Sequence, residues 1–162
     1  MSKKLILIIS YIIVMIIILV FGAVSIYMYL NNQNENLNID MNMLNTNMSE
    51  EAGFNEKRMQ DITLNNVSEI FNIEQSMVKE AIGKIPLLNI SSSMYVVIHT
   101  DEENVEQVKQ NLNEYGINYE NQWSTYMEDQ YELVKQRKIG NVGNYVYMIV
   151  YEIPDDMIEH IK

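Results

Sequence analysis

The sequence predicts an α+β domain carried on a single N-terminal transmembrane helix, and three observations lead there. Leu5 to Leu30 is a run of 26 residues without a formal charge. Two stretches rich in β-branched and aromatic residues, Met94 to His99 and Tyr145 to Tyr151, read as strands. Between them, Val105, Val108, Leu112 and Tyr115 repeat at helical spacing. The expected organisation is therefore a cytoplasmic N-terminus over 1–4, a transmembrane signal anchor over 5–30, an Asn-rich flexible linker over 31–49, and an extracytoplasmic domain over 50–162.

A helix of 26 residues is about 39 Å long at about 1.5 Å per residue, against about 30 Å for the hydrocarbon core. Its isoleucine, leucine and valine side chains each favour insertion. Lys3 and Lys4 precede the run, whereas Asn31-Asn32-Gln33-Asn34-Glu35 follows it without a base. That asymmetry places the N-terminus in the cytoplasm, the C-terminal part outside and the bilayer as a partner. Ala23-Val24-Ser25 also offers the small residues of a signal-peptidase site, but the apolar run exceeds a signal core and continues through Leu30, so an uncleaved anchor fits better. Gly22, Ala23 and Ser25 lack a Gly-xxx-Gly spacing for helix pairing.

Asn31 to Asn47 holds eight asparagines in 17 residues. With so few large apolar residues it reads as a solvated spacer. Met41, Met43 and Met48 have no histidine or cysteine beside them to complete a soft metal site.

Beyond residue 30 lie nine bases and all 22 acids, a formal charge of −13. That sign excludes nucleic acid as a partner. The absence of cysteine excludes disulfides, thiolate metal sites and a lipid-bearing cysteine. Val67, Ile70 and Phe71 suggest a helix from Leu64 to Phe71, and Ile73 to Val78 the start of a second. Val78 to Ile85 runs into Pro86, and a hairpin through Asn89 to Ser93 leads to the strand at Met94. Thr100 to Glu103 has the form of a capping box opening the long helix, which Gly116 bends or ends. Glu128 to Val134 reads as a short helix. Lys138 to Val142 and Tyr145 to Tyr151 flank Gly143-Asn144, a pair suited to a tight turn. Pro154 opens a closing helix, with Asp155 and Asp156 in its first turn and Met157, Ile158 and Ile161 on its buried side. The two hairpins form one small antiparallel sheet with helices mainly on one face.

Trp123-Ser124-Thr125-Tyr126, Gln130-Tyr131-Glu132-Leu133-Val134 and Gly143-Asn144-Tyr145-Val146, with Pro86 to Ser91 upstream, form an ordered series. Over roughly Asp61 to Ile158 the chain resembles the domain of unknown function 4358 family, found in exported lipoproteins and membrane-anchored proteins of Gram-positive Firmicutes. The resemblance implies an extracytoplasmic setting and carries no activity or catalytic residues. This chain departs from the lipoprotein members in lacking the cysteine, and it has Met127-Glu128-Asp129 where such members often place a proline.

No catalytic residue, cofactor or metal site is expected. His99 at a strand end and His160 in the last helix form no zinc or triad spacing. Gly140-Asn141-Val142-Gly143 lies between strands, which suits a turn and not a phosphate loop. Asp101, Glu102, Glu103 and Glu106 lack the order of a calcium loop. Sequons at Asn47, Asn66 and Asn89 carry no weight in a bacterium. Trp123, Tyr126 and Tyr131 are the candidate interaction surface: buried, they join helices to sheet; exposed, they form a platform for a wall polymer or an envelope protein. The favoured function is a non-enzymatic binding or scaffold module at the cell envelope. The alternatives are a sensor or partner subunit of a membrane complex, and an envelope-polymer hydrolase acting through Asp101 and Glu103.

Overall fold

The structure, a computed structural model, describes residues 11–26, 37–54 and 56–162. The chain divides into two compact units, Met1–Leu37 and Asn38–Lys162. In the first, residues 11–26 are helical and exposed throughout. Residues 5–10 and 27–30 of the expected anchor lie outside the described residues, as do 1–4 and 31–36. Among the described residues no helix is long and apolar enough to cross a membrane. Sixteen helical residues rise only about 24 Å, short of the roughly 30 Å core.

The second unit opens with a helix where a spacer was expected. Helix α1, Met41–Glu51, starts at Asp40, whose carboxylate accepts the Asn42 and Met43 amides, each at 3.0 Å. Met41, Leu44 and Met48 fall on one face and are buried, while Met43 is exposed. Asparagine is a poor helix former, so what holds α1 is the sheet beneath it. The Ile39 amide donates to the Tyr145 hydroxyl at 3.1 Å, and the Tyr95 hydroxyl lies 3.0 Å and 2.8 Å from the backbone and side-chain oxygens of Asn45. The Tyr151 hydroxyl donates to the Glu51 carbonyl at 3.1 Å.

Five strands follow: β1 Met59–Ile62, β2 Glu80–Pro86, β3 Met94–His99, β4 Lys138–Val142 and β5 Tyr145–Val150. They form one antiparallel sheet in the order β1-β2-β3-β5-β4. The two expected hairpins are present and share the sheet through the β3–β5 pairing, in which His99 faces Tyr145 and Met94 faces Val150. The additional edge strand, β1, was not expected: four residues reading Met-Gln-Asp-Ile give too short an alternation to recognise.

Helices lie on both faces, which corrects the one-sided expectation. Val96 and Ile98 of β3 and Val146, Met148 and Val150 of β5 pack with α2 (Val67–Phe71), α3 (Val105–Trp123) and α4 (Glu128–Lys135). Because strand side chains alternate, Tyr95, Val97, Tyr145 and Ile149 point the other way. They are buried on the face that receives Met41, Leu44 and Met48 of α1 and Met157 and Ile161 around α5 (Pro154–Glu159). β3 is buried on both sides from Met94 to Ile98, which is why that stretch is apolar or aromatic at successive positions rather than at every second one.

Two local expectations change. The capping box does not form: the Thr100 hydroxyl is buried and donates to the Met77 carbonyl at 2.5 Å, and a 3₁₀ turn over Glu102–Asn104 leads into α3. Gly116 does not end α3, which runs on to Trp123. A Cβ there would meet the Arg137 Nε at 2.6 Å, so the glycine makes room for a guanidinium that pairs with Glu120 at 2.6 Å.

Candidate functional site

At the end of the sheet where β2 finishes and β3 begins, the loop 87–93 is tied down from three sides. The Leu87 amide donates to the Arg58 carbonyl at 2.9 Å. Ser92, fully buried, donates through its amide to Gln130 Oε1 at 2.7 Å and through its hydroxyl to the Gln130 carbonyl at 3.1 Å. The Tyr119 hydroxyl donates to the Ser92 carbonyl at 3.2 Å. Between these anchors Leu87, Leu88 and Ile90 are 56%, 52% and 55% exposed. A loop this well bonded displays its aliphatic side chains in a fixed arrangement.

An aromatic series leads to the same place along α3. Ring centroids are separated by 4.6 Å for Phe71–Tyr115, 5.9 Å for Tyr115–Tyr119, 6.1 Å for Tyr119–Trp123 and 5.7 Å for Trp123–Tyr126. Burial pushes the Tyr119 phenol well above its ordinary value; the Trp123 side chain offsets part of this and Tyr115 adds to it. Burial raises Tyr115 as well. On the surface, the Gln130 side chain holds the Asp129 carboxyl below its usual range.

The structure separates the three candidate aromatics. Trp123 is core, Tyr126 is 63% exposed with its ring against Trp123, and Tyr131 is half-buried with the Lys135 ammonium 5.1 Å from its ring centre. Tyr126, Trp123, Gln122, Thr125 and Asn89 border a small cleft of about 110 Å³. Across the loop lies a larger groove of about 270 Å³, lined by Phe54, Arg58, Met59, Pro86, Leu88 and Ile90 together with Ala52, Gly53, Ser91 and Ser93. Phe54 stacks on Tyr95 at 5.9 Å. Sequence reasoning missed this groove because its walls come from two segments 30 residues apart. The one available signal was the apolar triplet Leu87, Leu88 and Ile90 in a turn, where solvent-facing residues are normally polar.

The other candidates lie elsewhere. His99 Nδ1 is 3.5 Å from Glu80 Oε1, and its ring stacks on Tyr145 at 4.4 Å. Asp101 pairs with Lys79 at 2.5 Å, and with Glu102 and Glu103 it borders an open surface hollow. His160 Nε2 lies 4.0 Å from Glu51. Among the described residues no group of three histidine, cysteine, aspartate or glutamate side chains is placed to hold a metal ion.

Three of the four segments quoted above for the family resemblance meet in space: Asn89 borders the cleft with Trp123, Thr125 and Tyr126, and Gln130 holds Ser92, whereas Gly143 to Val146 lies at the other end of the sheet. Comparison with curated proteins yields no match, and neither does comparison with solved structures. A family model does match, over residues 51–151, well over half of the chain, and its description is a domain of unknown function, DUF4358. The chain belongs to the DUF4358 family.

Proposed function

We propose that this chain is a non-enzymatic binding module held at the outer face of the cytoplasmic membrane by its N-terminal apolar segment. The uncharged run Leu5 to Leu30 behind Lys3 and Lys4 supports the anchor and its direction. The described helix over 11–26 lies within that uncharged run. The observation that carries the binding role is the tied loop 87–93 with three exposed aliphatic side chains. Burying such side chains against water is favourable by about 25 cal/mol per Å², and a compact domain leaves them outside when a partner covers them. Asp101 and Glu103 support the hydrolase reading poorly, since one is ion-paired and both border open solvent.

The same end of the domain favours a second reading, a subunit of a membrane complex, in which the partner is another membrane protein. A photoreactive phenylalanine analogue placed at Leu88 in the full chain, in intact membranes, tests the binding role. Discrete adducts at Leu88, absent when the probe replaces exposed Asn113 on α3, are the expected result. Equal labelling at both sites, or none at Leu88, contradicts it.

A further inference from the structure

We propose that the groove between residues 52–54, 58 and 59 on one side and the loop 87–93 on the other receives a segment of a partner polypeptide that seats a bulky apolar side chain beside a carboxylate. The inference rests on the binding-module reading and adds the chemistry of what is bound. The groove measures about 270 Å³, at the lower limit of the roughly 300–1,000 Å³ typical of small-molecule pockets, which suits a side chain better than a cofactor. Phe54, Met59, Pro86, Leu88 and Ile90 give it apolar walls. The Phe54 ring is stacked on Tyr95, and the Leu87 amide ties the loop to Arg58, so the walls are set before anything binds.

Charge selects the acidic group. Arg58 is the only charged residue in the lining, is exposed, and has no ion-pair partner among the described residues. A planar guanidinium at the rim of an apolar slot matches a carboxylate with two parallel hydrogen bonds. The folded unit around it, residues 38–162, carries 21 acids and nine bases, a formal charge of −12. One cation does not hold such a domain to an anionic bilayer or a wall polyanion against that repulsion. A single carboxylate inside the groove meets Arg58 at contact distance, whereas the surrounding acids act through screening solvent.

The test is selection of random linear peptides on the full chain held in lipid nanodiscs, followed by titration of the enriched peptides. Enrichment of a large apolar residue next to aspartate or glutamate is expected. Affinity should fall about tenfold or more with Arg58→Gln and also with Leu88→Ser; both side chains are exposed, and unchanged thermal unfolding verifies that the fold is kept. Replacing the peptide's acid by its amide should cost as much on the original chain and nothing further on Arg58→Gln. Peptides lacking an acid, peptides indifferent to Arg58→Gln, or no enrichment overturn the proposal. So does Arg58-dependent binding of phosphatidylglycerol vesicles, which would assign the groove to lipid. Peptides that respond to Tyr126→Ser but not to Arg58→Gln leave the binding-module reading standing and overturn this one.

Discussion

Ser92 and its partners concentrate the polar requirements of the loop on a few atoms. Tyr119→Phe removes the hydrogen bond to the Ser92 carbonyl, and a loss of about 1 kcal/mol in denaturant unfolding is expected. The same phenol gives the protein an alkaline limit. Its folded pKa is raised above the ordinary value of 10.0, so the neutral form is favoured in the folded state. The stabilisation is complete below about pH 10 and is lost as pH rises from there towards the folded value. Tyr119→Phe should flatten that loss, as unfolding followed across alkaline pH would reveal. Trp123→Ala, at a site 2% exposed, should cost about 3–5 kcal/mol. Tyr126→Ala, at a site 63% exposed, should stay within about 0.5 kcal/mol. The sequence marks these two rings as a pair but does not divide them. That division depends on where α3 ends: Trp123 is its last residue, still facing the sheet, and Tyr126 lies one turn past it.

Secondary-structure elements were legible where their own periodicity decides them. The α3 stripe, the Gly143 turn at φ 54° and the proline-led last helix follow from local pattern and appear as expected. α1 was not legible, because its asparagines argue for a spacer and its buried stripe of Met41, Leu44 and Met48 is thin. Tyrosine hydroxyls from the sheet supply what the local sequence lacks. Met48→Asp should therefore unfold the whole second unit, since a charge would enter a site with no exposure. Circular dichroism and thermal unfolding of that variant, beside an exposed-site control at Met43, check this. A spacer role for residues 38–51 would leave both variants equally stable. Gly83→Ala belongs to the same scale: a Cβ there would collide with the Tyr95 carbonyl and lie 2.9 Å from the Val96 Cα, where β2 and β3 run together. A loss of about 1–3 kcal/mol is expected from that overpacking.

At the scale of the molecule, an apolar segment and a folded domain of opposite solvent preference share one chain. The domain encloses its sheet between two helical layers and exposes Leu87, Leu88 and Ile90 at one end, beside a groove with a single cation. The candidate interaction surface read from the sequence touched this end through Tyr126, while the groove itself required the fold to bring residues 52–54, 58 and 59 against 86–93. Nothing in a one-dimensional pattern couples those segments, because β1 is too short to announce its pairing with β2. The account rests on the domain being displayed outside a membrane that the N-terminal segment holds. The most direct measurement is protease accessibility of the C-terminal domain in intact protoplasts, with carbonate-washed membranes fractionated from the full chain and from a chain lacking 1–30. The account predicts cleavage from outside, retention of the full chain in washed membranes and release of the shortened one. Protection of the domain in intact protoplasts, or a shortened chain that still sediments with washed membranes, would contradict it.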